Sequence, residues 1–405
     1  MAPGVRTLVG VSTSLTVFLG RAERGPVGRP VQVSSFAEYA GTFGGLLDDS
    51  PMPWSVQDFF LNGGGQAVII RLFENDDASH THTGGAPGVL PDVDTHNAGV
   101  QDSAKLSEAT YLKGLELLDS LDVYNLVCIP SDSFDGGHDI PANVYRAAAT
   151  RCADERATLL LDPPSSWTQP GDIHPETFSA LFGYGQDSDL APFSALYFPR
   201  VRSPDPLRPE VLLTRPPCGL LAGILARTDA TDGVWKVPAG PQTGLVGITD
   251  LACTLNDADN SRLYAMAVNC LRSFPMTGPV VWGARTLAGV DALSSDFKYL
   301  PMRRFTSYLE QTLSRQLRWT LFEPNGEPLW AQLRQAIGAF MNDLFRQGVF
   351  QGSSPDEAFF VTCDATTTSQ DDIDRGIVNI EVGFTLLRPA EFLVLRIEQP
   401  AGQRP

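Results

Sequence analysis

Residues 53–72 read PWSVQDFFLNGGGQAVIIRL, and this stretch decides the fold class. Trp54, Phe59, Phe60 and Leu61 precede Gly63-Gly64-Gly65, as in a short amphipathic helix with a glycine stop. The β-branched run Gln66–Leu72 then predicts a strand. Before it, Leu15–Leu19 is a short apolar run ending at Gly20, consistent with a buried strand, and Ser34 or Ser35 caps a helix reaching Tyr39. Strand, helix and strand in close succession point to a parallel sheet with helices on its faces.

The rhythm stops at Glu74–Ser103, a tract of Gly, Asp, His, Thr and Pro without apolar periodicity, which reads as a long surface loop. It then resumes. Leu106–Leu121 and Pro141–Ala153 predict helices. Tyr124–Ile129, Thr158–Leu161 and Ser194–Phe198 predict strands, and Gly219–Ala226 predicts another helix. Further on, Met302, Phe305, Leu309, Leu313 and Leu317 form one helical stripe within Pro301–Trp319. Pro328 opens a second helix whose inner face is Leu333, Ile337, Phe340, Met341 and Leu344, stopped near Gly348. Two alternating strands follow, carrying Val378, Ile380, Val382 and Phe384, then Leu393, Leu395 and Ile397. The fold class expected is an α/β core with a variable outer insertion, plus a C-terminal α+β domain ending in a strand that serves as an arm. The divisions are 1–73, the first part of the core; 74–103, the polar loop; 104–295, an outer and variable α/β middle; and 296–405, the C-terminal domain.

With 405 residues, 43% hydrophobic and 19% charged, the chain has the composition of a folded protein of two or three domains. No apolar run approaches the roughly 20 residues of a membrane span, so membrane insertion is not expected. Met1–Arg6 carries no apolar core of a secretory signal, so export is expected by lysis or within a larger particle. A net charge of −17 repels phosphate backbones and excludes sequence-independent nucleic-acid binding. Cys128, Cys152, Cys218, Cys253, Cys270 and Cys363 form no C-x-x-C pair, and they read as small buried hydrophobes of a reducing compartment.

Chemical motifs are weak. The run Asn62–Gln66 lacks the Lys-Ser/Thr of a phosphate loop and precedes a strand instead of leaving one. His80, His82 and His96 share the long loop with Asp76, Asp77, Asp92 and Asp94, yet nothing rigid positions them as ligands. His138 and His174 lie in polar segments, and no nucleophile elbow is present. Asp371, Asp372 and Asp374 follow Ser369, a helix cap whose first turn favours carboxylates. No residue is assigned as catalytic, metal-ligating or cofactor-binding.

Several stretches together resemble the contractile tail sheath family. They are residues 10–22, Arg24-Gly25-Pro26, Phe43-Gly44-Gly45 and residues 58–67 near the start. Near the end they are Arg303–Glu310, Trp319–Pro324, Glu327–Trp330, Phe359–Asp364, Thr367–Asp374 and Pro389–Phe392. The resemblance implies a structural subunit, not an enzyme, that polymerises with copies of itself in stacked rings or a helix around an inner tube protein. It would then contract to drive the tube through an envelope. Implied further partners are baseplate and terminator or cap proteins, and the implied setting is assembly in a bacterial cytoplasm and action in a virion or injection particle. It also implies an inter-subunit arm: Glu391, Phe392, Leu393, Val394, Leu395, Arg396, Ile397 and Glu398 would add a strand to a neighbour's sheet. The other reading of these residues is an ordinary edge strand of their own domain. The family's extended N-terminal arm, with Pro-Gly-Val followed by acidic residues, is not matched: Pro3-Gly4-Val5 runs directly into Arg6-Thr7-Leu8, as expected either of a shortened arm or of a true start that lies upstream. A non-contractile relative and an α/β enzyme are the alternative functions.

Overall fold

A computed structural model of the chain describes residues 7–74, 105–134, 136–206, 208–386 and 393–402. They fall into two compact units. One is Ser12–Arg303, and the other joins Met1–Val11 to Arg304–Pro405.

Ser12–Arg303 contains β1 (Thr16–Gly20), β2 (Val31–Val33), β3 (Ala67–Arg71), β4 (Leu126–Cys128), β5 (Thr158–Leu161), β6 (Ser194–Phe198), β7 (Val201–Asp205), β8 (Arg208–Arg215), β9 (Asp250–Leu251), β10 (Val268–Phe274) and β11 (Gly278–Val281). Its helices are α1 (Phe36–Phe43), α2 (Met52–Leu61), α3 (Glu108–Glu116), α4 (Ala142–Asp154), α5 (Phe178–Phe182), α6 (Cys218–Thr231) and α7 (Asp257–Ala265). The main sheet has the order β11-β10-β6-β5-β4-β1-β3-β2. From β10 to β3 all neighbours run parallel, and only β2 and β11 pair antiparallel at the ends. Both faces are covered, which is why the inner strands read as unbroken apolar runs. Val17, Leu19, Ile70, Val127 and Leu159 pack with residues of α3 and α4 on one face. Phe18, Ile69, Leu126 and Leu160 pack with α2 and α6 on the other.

The reading of 1–73 and 104–295 as separate divisions is corrected by this topology. β1 stands between β3 and β4, so both segments build one sheet, with the polar tract inserted between them. A second, three-stranded antiparallel sheet, β8-β7-β9, was not expected.

The other unit holds α8 (Leu300–Gln316) from Arg304 onward, α9 (Glu327–Arg346), α10 (Pro355–Ala358), β12 (Phe359–Thr362), α11 (Gln370–Asp374), β13 (Ile377–Phe384) and β14 (Leu393–Pro400). Four of the five stripe residues on α8 are buried as their spacing implies: Phe305, Leu309, Leu313 and Leu317 are inaccessible to solvent, while Met302 is half-buried. Leu333, Ile337 and Met341 of α9 are too. Phe305 meets Phe384 of β13 edge-on, 5.3 Å between ring centroids. The division between the units falls inside the first turn of α8, beyond position 296, and it gives the chain's first residues to the second unit. Leu8 is buried there, and the Val11 N–H donates to Thr312 Oγ1 at 3.3 Å. Gly10 lies so close to Tyr308 that an added Cβ would fall 1.9 Å from the hydroxyl oxygen.

Candidate assembly surface

The C-terminal sheet has the order β12-β13-β14 and is antiparallel throughout. β14 pairs with β13 over eight residues, from Ile377 opposite Pro400 to Phe384 opposite Leu393. Alternation sends Leu395 and Ile397 into the core, where each is under a tenth exposed, and sends Val394, Arg396 and Glu398 outward. Burying two such side chains stabilises this placement by about 1.5–3 kcal/mol each. Arg396 pairs with Glu381 across the strands at 2.9 Å. The far side of β14 meets no strand among the described residues, leaving an edge open to main-chain pairing except at the Pro400 carbonyl, which accepts the Thr320 hydroxyl at 2.8 Å. Glu391 and Phe392, the first two residues expected in the arm, lie outside the described residues.

The outward face of this sheet carries an apolar row. Phe360, Gly383 and Val394 are consecutive cross-strand partners. A Cβ on Gly383 would stand 2.1 Å from the Phe360 ring, so the ring covers the glycine and leaves that backbone buried. Phe360 and Val394 remain 37% and 43% exposed, the only side chains of the row that can meet another surface.

The other residues singled out from sequence have structural explanations. Asn62 ends α2, and Gly63 follows with φ +107°, a conformation open to glycine. The Asn62 side chain is buried and exchanges two hydrogen bonds with the Val246 backbone at 2.9 and 3.0 Å. Ser369 caps α11 in a capping box with Asp372, and Arg375 pairs with Asp371 and Asp372. The acidic cluster is therefore a helix start. His174 is exposed and 3.8 Å from Glu176, while the His138 carbonyl accepts the Asp132 N–H. His80, His82, His96 and the aspartates beside them lie outside the described residues. Among the described residues, no group of three His, Cys, Asp or Glu is arranged to hold a metal, and no helix is long and apolar enough to cross a membrane. All six cysteines are free thiols; all except Cys253 are buried, and burial pushes the Cys128 and Cys218 thiols up, which suppresses thiolate chemistry.

Sequence reading missed the buried ions. In open α/β sheets ligands bind beyond the carboxyl ends of the strands where strand order reverses, here between β1 and β4. That place is filled by Arg21, which is fully buried. Its Nε donates to Asp132 at 2.6 Å and its Nη1 to Asp49 at 2.9 Å. Lys105 adds bonds to the Asp49 and Asp132 carbonyls. Each charge has its partners, so the crevice is closed by the chain itself. Elsewhere, Arg215 of β8 pairs with buried Asp58 of α2 and stacks 5.1 Å over Trp54. Burial raises the Asp58 carboxyl to about 6. Asp162, just past β5, accepts the Cys218 N–H at 2.9 Å at the start of α6, and burial raises it to about 7.

Comparison with known proteins bears on the same C-terminal region. Residues 293–399 match the family of phage tail sheath C-terminal domains. The tail sheath protein of Vibrio phage KVP40 is 29% identical over 177 residues, 44% of this chain and 25% of that protein. That of Enterobacteria phage T4 is 29% identical over 157 residues, 38% of this chain and 22% of its own length. The match thus spans about a quarter of the length of these curated relatives. Among solved structures, the contracted sheath complex of the extracellular contractile injection system PVC shares the fold, with a TM-score of 0.71 at 23% identity over 98% of this chain and 94% of that one. A chain of the anti-feeding prophage baseplate has a TM-score of 0.67 at 25% identity over 98% and 95%. The resemblance read from the sequence is shown by these matches.

Proposed function

We propose that this chain, whose residues 293–399 carry the phage tail sheath C-terminal domain, is the structural subunit of a contractile sheath. Copies polymerise around an inner tube, and a change of lattice shortens the sheath and drives the tube through a target envelope. The observation that carries this reading is the family match across the C-terminal unit, supported by a fold shared along nearly the whole chain with a sheath solved in its contracted state. The partners proposed are further copies, the tube protein, a baseplate and a terminator or cap. Assembly in a bacterial cytoplasm precedes action in the particle.

The arm belongs to this proposal. In the single chain, Leu393–Pro400 lies on its own β13, the edge-strand arrangement. An identical strand from a neighbouring copy fits the same eight-residue register and buries the same Leu395 and Ile397, so exchange between copies preserves every main-chain bond. Negative-stain microscopy of particles from the producing cell, with mass spectrometry of their bands, tests the reading. Hollow striated cylinders containing this chain are expected, in long and short forms. A small soluble species with no copurifying tube protein would overturn it.

A further inference from the structure

Charge is divided unevenly between the two units. Ser12–Arg303 holds 34 of the chain's 47 acidic residues and 20 of its 30 basic ones, a net −14, while the other unit carries 13 and 10, a net −3. Burial sharpens the difference. Arg21, Arg71, Arg200, Arg215, Arg285 and Arg303 are each at most 6% exposed, against only Asp58, Asp132, Asp162 and Asp205 among the described acids of that unit. These arginines are used internally. Arg71 donates to the Ala22 and Gly25 carbonyls, Arg200 to Asp139 and the Pro163 carbonyl, and Arg303 lies 4.8 and 4.2 Å from the Phe193 and Phe297 rings. Counting exposed side chains alone, Ser12–Arg303 is therefore slightly more negative than its sequence charge, with Arg21, Arg200 and Arg285 still paired to the partly exposed Asp49, Asp139 and Asp291. Glu116, Asp154, Asp187 and Asp189 illustrate it, all four exposed.

The C-terminal unit carries less net charge, and both units expose apolar side chains: Val9, Phe322, Phe360 and Val394 at 64%, 74%, 37% and 43% in this one, and Leu212 and Met276 at 58% and 98% in Ser12–Arg303. Attraction through such groups is short-ranged and not weakened by simple salts. Repulsion between like-charged units is long-ranged and is screened over a Debye length. The two forces respond to ions with opposite sensitivity, so their balance has one sign.

We propose that copies of this chain are held apart by the negative charge of Ser12–Arg303 until ions screen it, so that ionic strength switches self-association on. This inference rests on the sheath reading, and its test separates the two. Had association run on ion pairs between copies, salt would weaken it.

The experiment sediments the purified full-length chain in sodium chloride raised from about 0.01 M to about 0.15 M, which shortens the screening length from about 30 to about 8 Å. Pellets are viewed by negative stain. The soluble concentration in equilibrium with polymer is expected to fall roughly tenfold or more. A second arm uses the variant E116Q/D154N/D187N/D189N. All four acids are exposed and make no ion pair described above, and Glu116 and Asp154 close α3 and α4, where a carboxylate opposes the helix dipole. This variant is expected to polymerise in the dilute salt that keeps the parent soluble. Cylinders whose yield is indifferent to salt, or that dissolve as salt rises, would overturn the charge proposal and leave the sheath reading standing. Loss of the parent–variant difference in dilute salt, with both forming cylinders, would overturn it equally. A chain that forms no ordered polymer in either salt or either sequence would overturn the sheath reading and this inference with it.

Discussion

Asp162 is the N-terminal anchor of a helix 56 positions away in sequence: its Oδ1 takes the first free N–H of α6. Burial raises its carboxyl to about 7, against about 4 in an unfolded chain. The folded chain therefore binds the proton more tightly. Stability from this group is complete below about pH 4 and is lost as pH rises through 7, at up to about 1.4 kcal/mol per pH unit. Asp162→Asn keeps an acceptor oxygen and removes the titration. Denaturant midpoints at pH 5 and pH 8 are expected to drop for the parent and to drop less for the variant; equal drops would assign the slope to other groups, Asp58 first. Arg215→Met acts differently, because it strands the Asp58 carboxyl in the core. A loss of about 3–5 kcal/mol is expected in the same assay, and a loss under 1 kcal/mol would mean that the pair is not buried as described. Neither group was legible in the sequence. Asp58 stands between Gln57 and Phe59 like any polar helix residue, and its partner lies 157 positions away.

At the scale of elements, apolar runs and stripes were readable because burial fixes them. β5 and β6 fall on Thr158–Leu161 and Ser194–Phe198 as read. The β7–β8 hairpin was not, since Arg202 and Pro204 occupy the exposed positions of a short strand and mimic a loop. The helix expected over Leu106–Leu121 is interrupted: α3 ends at Glu116 and a 3-10 turn, Leu117–Ser120, follows. β14 was readable by its alternation, yet alternation cannot say whose sheet it joins, because the same buried face serves either. Val394→Asp probes that question. The residue faces outward and is 43% exposed, so the chain is expected to remain folded and soluble by circular dichroism and gel filtration while sedimenting polymer falls at least tenfold. Normal cylinders from this variant would remove β14's outward face from the assembly contacts.

For the whole molecule, the joining of residues 7–11 to α8 across some three hundred positions left no trace in composition or period. It rests on Leu8, on the Val11–Thr312 bond and on the absence of a side chain at Gly10. Gly10→Val pushes two methyl groups into the Tyr308 ring. Hydrogen exchange is expected to speed up in α8 beyond Arg304 and in α9, with a cost of about 1–3 kcal/mol, and to stay unchanged in β1, β4 and β5. Faster exchange in those strands instead would show that the two units do not unfold separately.

Because one unit is closed by both ends of the described chain, a ribosome finishes the α/β unit first. At about 5–20 residues per second, roughly 15–60 s separate the emergence of Val11 from that of α8. During that time the nascent chain has no β13 to receive a strand and no β14 to offer one. A product truncated before β13 therefore lacks the sheet altogether, and under the sheath reading it has no strand to exchange with another copy.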